Sequence, residues 1–132
     1  PEPSRPAPPR RVLVVDDVAV NRMVAQALLQ ADGHSVTLAE SGEAALALLA
    51  AGAAVDVVLL DLQMPGIDGL ETARRLRALP RAGAPLSIIA LSAASTAERA
   101  ASLAAGIDAH LAKPVDRPML MAALRDLPVE GT

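Results

Sequence analysis

The stretch VDVVLLD, Val55–Asp61, decides the fold. Its first six residues form a short run rich in Val and Leu, which is typical of a strand buried on both faces. Strands of this kind belong to parallel sheets that carry helices on both sides. Asp61 stands where the run ends. The stretch therefore predicts a covered parallel sheet with a carboxylate at its edge.

Strand-like and helix-like segments alternate on either side of this stretch. The predicted strands are short apolar or β-branched runs: Arg11–Val15, Ser35–Ala39, Val55–Leu60, Leu86–Leu91 and Ala109–Ala112. The predicted helices show apolar residues at helical spacing and recognisable ends. They run from about Ala19 to a stop at Gly33, from a cap at Ser41 through Ala51, from Leu70 to about Leu79, from the capping box Ser95–Glu98 to Gly106, and from Asp116 along a face of Leu120, Ala123, Leu124 and Leu127.

This order predicts an α/β fold: a single domain with a doubly wound, five-stranded parallel sheet and helices on both faces. We expect the domain to occupy residues 11–127. Residues 1–10 are rich in Pro and lack periodicity, which indicates a linker, a disordered tail or a cloning remnant. Residues 128–132 form a C-terminal tail. The chain begins with Pro rather than Met, so we expect it to be part of a longer protein.

Composition excludes several kinds of function. The chain has no Cys and two His, which excludes disulfides and a zinc cluster. The net charge is −3, and residues 1–10 carry +1 of it, so the remainder carries −4. That balance and the absence of aromatic residues argue against nucleic-acid binding. Neither a secretory signal nor an apolar run of about 20 residues is present, so we expect a chain outside the membrane, in the cytoplasm, with a parent protein that can be membrane-attached.

Polar side chains follow four of the five predicted strands. Asp16 and Asp17 follow the first strand, Asp61 the third, Ser92 the fourth and Lys113 the fifth. In a doubly wound sheet these positions lie at one edge, where ligands bind. Each residue alone is as readily explained by turn or cap chemistry. Together, three carboxylates, a hydroxyl and an ammonium indicate a site for Mg²⁺ or Mn²⁺ and for phosphoryl transfer to Asp61.

Four motifs give the chain a specific resemblance over about residues 11–127. They are VLVVDD (Val12–Asp17), LLDLQMPGIDG (Leu59–Gly69), ALSA (Ala90–Ala93) and HLAKP (His110–Pro114). The sequence resembles the receiver domain of two-component response regulators, which has a flavodoxin-like fold. The phrases DDVAVNRMVAQALLQADGH and DLQMPGIDGLETARRLR are most similar to receivers attached to hybrid sensor histidine kinases. A stand-alone response regulator remains the alternative.

The resemblance implies a role for each site residue. Asp61 would accept a phosphoryl group from the phosphohistidine of a sensor kinase or of a histidine phosphotransfer domain. Asp16, Asp17, Asp61 and the backbone carbonyl of Gln63 would bind Mg²⁺. Lys113, before an expected cis Lys113–Pro114 bond, would pair with phosphoryl oxygens, and Ser92 would move towards them.

The resemblance also implies how such a domain works with its partners. The domain would catalyse only its own phosphorylation and dephosphorylation, as a monomer or weak dimer, while the parent chain could be a histidine kinase. The helix that starts near Ala19 would contact the partner, with Asn21 and Arg22 beside the acidic pocket.

Three positions depart from the family pattern or tune it. Receivers commonly carry Tyr or Phe three residues before the lysine, where this chain has His110. His110 is either a partly exposed surface residue or part of a weaker or pH-tuned switch. Gln63 and Ala94 occupy the two positions that tune dephosphorylation. Because Ala94 cannot orient a water molecule, we predict a phosphoryl group of moderate to long lifetime.

Three other kinds of protein compete with this interpretation. A phosphatase-class hydrolase usually has a second acid two residues after the nucleophile, where this chain has Gln63. A nucleotide-binding module needs a Gly-rich loop after the first strand, where this chain has Asp16-Asp17-Val18. A receiver that serves only as an interaction module would not need the complete set of polar side chains.

Overall fold

The computed structural model describes residues 10–63, 69–79, 86–92, 104–112 and 116–125. These residues form five strands and four helices. The strands are β1 (Arg11–Val15), β2 (Ser35–Ala39), β3 (Val57–Asp61), β4 (Ser87–Ser92) and β5 (Ala109–Ala112). The helices are α1 (Ala19–Ala31), α2 (Gly42–Ala50), α3 (Gly69–Ala78) and α4 (Arg117–Arg125). The predicted tails, the residue Leu127 and most of the predicted helix from Ser95 to Gly106 lie outside the described residues.

The five strands form one parallel sheet in the order β2-β1-β3-β4-β5. This confirms the doubly wound sheet. The chain moves outward from β1 to β2 in one direction and from β3 to β5 in the other, so the strand order reverses between β1 and β3. A crevice at the carboxyl ends of these two strands is where such a fold places its ligands.

Helices cover both faces of the sheet. Successive side chains of each strand point to opposite faces, so the apolar strands contribute to a core on each side. On one face, Ala45 of α2 and Leu76 of α3 belong to a core with Leu13, Val58 and Ile88. On the other face the core is formed by α1, α4 and the alternate strand residues: Val12, Val14, Leu29, Val57, Leu59, Ile89, Leu120 and Leu124. The buried residues of both clusters are aliphatic.

Local signals position several element ends. The Ser41 side chain accepts a hydrogen bond from the Ala44 N–H at 3.0 Å and caps α2, as predicted. After α1, Gly33 has a φ of 87°, a conformation that favours glycine, and its N–H donates to the Gln30 carbonyl. Asp116 accepts from the Met119 N–H at the start of α4.

The predicted start of β3 was wrong by two residues. The strand begins at Val57 rather than Val55, and it includes Asp61. Asp56 instead turns its carboxylate to Arg11, accepting hydrogen bonds from the backbone N–H at 3.0 Å and from the guanidinium at 2.7 Å. This ion pair lies at the end of β3 opposite to Asp61, where the Asp56 N–H also donates to the Arg11 carbonyl and the Asp56 carbonyl accepts from the Ser87 N–H.

The described helices are also short. The longest, α1, has 13 residues. Within the described ranges, none of them is long and apolar enough to span a membrane.

Candidate functional site

Three carboxylates meet where the strand order reverses. Asp16 follows β1 directly, Asp61 is the last residue of β3, and the two strands pair with Val15 opposite Leu60. Asp17 is the next residue along the chain. One carboxylate oxygen from each of the three lies within 4.8 Å of the others. The structure therefore brings together the three acids that the sequence predicted at this edge.

The fold buries two of these acids and exposes the third. Asp16 is 3% exposed and Asp61 is 2% exposed, while Asp17 faces solvent. Buried carboxylates need hydrogen-bond donors or cations to offset lost hydration. The arrangement places negative charge inside the crevice and leaves one side of the cluster open to water.

Backbone and side-chain donors hold the two buried acids in place. One oxygen of Asp16 accepts from the Val18 N–H at 2.9 Å and lies 3.5 Å from the Asn21 amide nitrogen. One oxygen of Asp61 accepts from the Gln63 N–H at 3.0 Å. Each aspartate thus bonds to the backbone two residues later, a local turn that Asp forms readily. The turns fix the direction in which both carboxylates point.

Arg22 makes a contact that sequence reasoning did not identify. Its guanidinium donates to the backbone carbonyl of Asp16 at 2.6 Å, from the second turn of α1. The sequence placed Arg22 beside the acidic pocket but gave it no atom to bind. The contact ties α1 to the end of β1 and brings a cation close to the carboxylates. Arg22 lies just over one helical turn beyond the loop that follows Asp16. That spacing is the feature of the sequence from which this contact could have been predicted.

The donor set fits a hard divalent cation. Mg²⁺ prefers carboxylate oxygens, keeps several waters and binds phosphate oxygens. Asp16, Asp17 and Asp61 supply oxygen donors from two sides of the crevice, and exposed Asp17 leaves room for water. Among the described residues this is the group of acids that could hold a metal ion.

Ser92 and His110 lie one strand further along the same edge. Ser92 ends β4, is fully buried, and follows Leu91, which pairs with Asp61. Its hydroxyl oxygen lies 2.5 Å from Nε2 of His110 on β5, a half-buried side chain. Ser92 therefore lies next to the acidic crevice, as predicted. Lys113 and Ala94 lie outside the described residues.

One face of α1 exposes apolar side chains beside the crevice. Val20, Met23 and Val24 are 64%, 65% and 52% exposed, and their spacing places them on one side of the helix. The core contact of α1 comes from Leu29, with Ala25 and Leu28 packed against the same core. We call Val20, Met23 and Val24 the α1 face.

Comparison with known proteins agrees with this geometry. The sequence model of the response regulator receiver domain matches residues 12–125. Response regulator MprA of Mycolicibacterium vanbaalenii is 43% identical over 120 residues, which cover 90% of this chain and 50% of MprA. The aerobic respiration control sensor protein ArcB of Escherichia coli is 38% identical over 125 residues, 94% of this chain and 16% of ArcB. The chain thus spans half or less of these relatives.

Solved structures share the fold. One is the co-crystal structure of the Saccharomyces cerevisiae histidine phosphotransfer signaling protein Ypd1 with the receiver domain of its downstream response regulator Ssk1. The match has a TM-score of 0.81 at 26% identity, and it covers 91% of this chain and 89% of the matched chain.

Proposed function

Because the chain belongs to the response regulator receiver domain family, we propose that it is a phosphorylation switch in which Asp61 accepts a phosphoryl group from a phosphohistidine. The observation that carries this proposal is the acidic crevice. Asp61 is buried at the end of β3, with a carboxylate oxygen within 4.8 Å of those of Asp16 and Asp17. A cluster of this kind is costly unless it binds a cation.

The proposed reaction starts from the Asp61 carboxylate, whose position is fixed. A carboxylate oxygen of Asp61 bonds to phosphorus while the P–N bond of the donor breaks, and the electron pair of that bond returns to the donor imidazole. The product is an acyl phosphate. Phosphoryl transfer depends mainly on position and charge neutralisation. The Gln63 N–H supports the first requirement, because it fixes one oxygen of Asp61.

Neutralisation requires positive charge at the crevice. Asp16, Asp17, Asp61 and the backbone carbonyl of Gln63 would hold Mg²⁺ or Mn²⁺, which would offset both the carboxylates and the phosphoryl oxygens. Lys113 would add an ammonium for a phosphoryl oxygen, and Ser92 would donate its hydroxyl to another. The position of Ser92 beside Asp61 supports its part of this proposal.

The partner would be the phosphohistidine domain of a sensor kinase or a histidine phosphotransfer domain. The α1 face supports this choice, because exposed apolar residues beside a reactive centre are typical of a contact surface. Ssk1, a structural relative, is paired with a histidine phosphotransfer protein. Relatives include both a response regulator and a sensor protein. Because two phrases of the sequence are most similar to receivers of hybrid kinases, we propose a hybrid histidine kinase as parent, with a stand-alone regulator as the second candidate.

Acetyl phosphate tests the assignment of Asp61. We expect the chain, incubated with acetyl phosphate and Mg²⁺, to gain one phosphoryl group by intact mass, and Asp61→Asn to gain none. Asp56→Asn is the matched control, because Asp56 precedes the opposite end of the same strand. Full labelling of Asp61→Asn would refute the assignment. No labelling of wild type would favour a receiver that serves only as an interaction module.

A protein donor tests the α1 face. We expect Met23→Glu to slow transfer from a phosphorylated histidine phosphotransfer domain more than transfer from acetyl phosphate, because a charge there disturbs only the protein contact. Ala47→Glu, at an exposed position of α2, is the control. Equal slowing with both donors would place the effect in the crevice rather than at the contact.

Decay of the acyl phosphate tests the proposed tuning position Ala94. We expect Ala94→Glu to speed hydrolysis several-fold, because a carboxylate two residues after Ser92 can orient an attacking water as a general base does. The measurement is loss of phosphate after removal of acetyl phosphate. An unchanged half-life would argue against a role for Ala94.

A further inference from the structure

The exposed acid of the crevice depends on the backbone for its direction. Asp17 supplies one of the three carboxylate oxygens that lie within 4.8 Å of one another, and it faces solvent. The buried acids Asp16 and Asp61 accept hydrogen bonds from backbone N–H groups at 2.9 and 3.0 Å. In the part of the chain that the structure describes, no comparable donor contacts the Asp17 carboxylate. Its side chain has only the staggered positions that its own backbone allows, so that backbone decides whether the carboxylate points into the crevice.

Two hydrogen bonds orient the peptide group that joins Asp16 to Asp17. The N–H of Asp16 donates to the Ala39 carbonyl at 3.2 Å, which fixes Asp16 to the end of β2. The carbonyl of Asp16 accepts from the Arg22 guanidinium at 2.6 Å. Because a peptide group is planar, a fixed carbonyl oxygen also fixes the N–H and the Cα of the next residue. Arg22 therefore sets the base from which the Asp17 side chain projects.

Arg22 is itself held where it can make this contact. It lies on α1, and its N–H donates to the Val18 carbonyl at 3.2 Å, so the start of the helix fixes its backbone. The side chain is half-buried. A guanidinium stays charged at physiological pH, and a hydrogen bond from a charged donor is about twice as strong as a neutral one. Ordinary changes in pH therefore leave the contact in place.

Charge and orientation give Arg22 opposite effects on a metal ion. A guanidinium beside carboxylates repels a divalent cation, so charge alone predicts that its removal strengthens Mg²⁺ binding. Loss of a group that orients a metal ligand instead weakens metal binding, typically about 10- to 100-fold. Because the two effects differ in sign, one measurement of affinity separates them.

We propose that Arg22 is a positioning residue for the metal site: through the Asp16 carbonyl it fixes the peptide group that directs the Asp17 carboxylate into the crevice. The inference rests on the proposed Mg²⁺ site. It gives Arg22 a role inside the domain, whereas the exposed residues of the α1 face serve the proposed contact with the partner.

Titration with Mg²⁺, followed by the amide resonances of the folded protein, tests this role. We expect Arg22→Met, which keeps an unbranched stem but has no donor, to raise the Kd for Mg²⁺ about tenfold, the lower end of the range for such groups. Arg22→Lys keeps a charged donor, and a single N–H···O bond does not need the planar guanidinium, so its Kd should lie closer to that of wild type. Arg125→Met removes the same charge from the exposed last residue of α4 and should leave the Kd unchanged.

The rate of phosphoryl labelling is the second readout. With acetyl phosphate as donor, Arg22→Met should need about tenfold more Mg²⁺ for half-maximal rate. Excess Mg²⁺ should restore the wild-type rate, because the variant lacks only the orientation of one ligand. A variant that is merely less stable would instead lose rate at every Mg²⁺ concentration, in proportion to its unfolded fraction.

An unchanged or lower Kd for Mg²⁺ in Arg22→Met would overturn the proposal. So would a Kd in Arg22→Lys as high as that in Arg22→Met, or a rate in Arg22→Met that excess Mg²⁺ does not restore. Absence of both Mg²⁺ binding and labelling in wild type would refute the proposed function of Asp61, and this inference with it. The two failures are therefore distinguishable, because the first appears only in the variants.

Discussion

At the scale of single residues, the buried imidazole of His34 links stability to pH. His34 is 4% exposed, and its Nδ1 accepts a hydrogen bond from the Arg10 N–H at 3.0 Å. Burial lowers the pKa of His34 from its ordinary 6.5; Asp32 opposes this shift and the Arg10 guanidinium adds to it. Above pH 6.5 the imidazole is neutral in both the folded and the unfolded chain. As pH falls below that value only the unfolded chain binds the proton, so stability is lost until the folded pKa is reached.

We expect His34→Asn to flatten this loss. Asparagine keeps an acceptor for the Arg10 N–H and does not titrate. The free energy of unfolding, measured with urea from pH 7.5 to 5.5, should fall less steeply than in wild type, by at most about 1.4 kcal/mol per pH unit for one proton. His110→Gln serves as the control for the other histidine. Identical slopes in His34→Asn and wild type would contradict the assignment of this pH dependence to His34.

At the scale of elements, the start of α3 is fitted against the end of β3. An added Cβ on Gly69 would lie 2.5 Å from Cα of Leu62 and 2.7 Å from the carbonyl oxygen of Asp61. Both are backbone atoms, so relief of the clash requires the chain at Asp61 to shift. Glycine is therefore required here by close approach rather than by its conformation.

We expect Gly69→Ala to destabilise the domain by about 1–3 kcal/mol, the range for overpacking, although the same change inside an ordinary helix stabilises by about 1 kcal/mol. It should also slow labelling of Asp61 by acetyl phosphate. The control is Gly33→Ala: Gly33 has open space around it and a positive φ, so that variant should lose stability and keep its labelling rate. A Gly69→Ala variant that is as stable and as reactive as wild type would show that the backbone at Asp61 and Leu62 shifts without cost.

The helix and strand ends that the sequence predicted correctly are those set by local signals. Caps such as Ser41 and stops such as Gly33 act within one helical turn, so they can be read from the chain and were confirmed. The start of β3 was predicted two residues early; Asp56, just before it, contacts Arg11, 45 residues away, a pairing that the sequence alone does not reveal. Which side of α1 packs also depends on distant strands, so the spacing predicted the helix but not its exposed face.

At the scale of the whole molecule, topology made the candidate site predictable. Parallel strands bring their carboxyl ends to one edge, so Asp16, Asp17 and Asp61 had to meet once the strand order was right. Contacts that depend on side-chain direction had no such constraint. The bonds of Arg22 to the Asp16 carbonyl and of Ser92 to His110 join groups whose rotamers follow from packing, and the sequence did not predict either.

The gathering of charge at this edge should make the whole domain sensitive to divalent cations. Two like charges 4.8 Å apart, the span of the three carboxylates, repel by about 3 kcal/mol at an effective dielectric of about 20. Exposure of Asp17 screens part of this repulsion. The remainder is carried by the folded state alone, because the unfolded chain separates Asp61 from Asp16 and Asp17.

We therefore expect Asp61→Asn to be more stable than wild type without divalent ions, by about 1–2 kcal/mol once screening is allowed for. Mg²⁺ at ten times its Kd should stabilise wild type by about 1.4 kcal/mol through linkage, and should stabilise Asp61→Asn less, because one ligand is gone. Thermal unfolding with and without Mg²⁺ measures both effects. Asp56→Asn, which removes a carboxylate distant from the crevice, should respond to Mg²⁺ as wild type does. A wild-type Tm that does not change when Mg²⁺ is added would contradict a metal site built from these three acids.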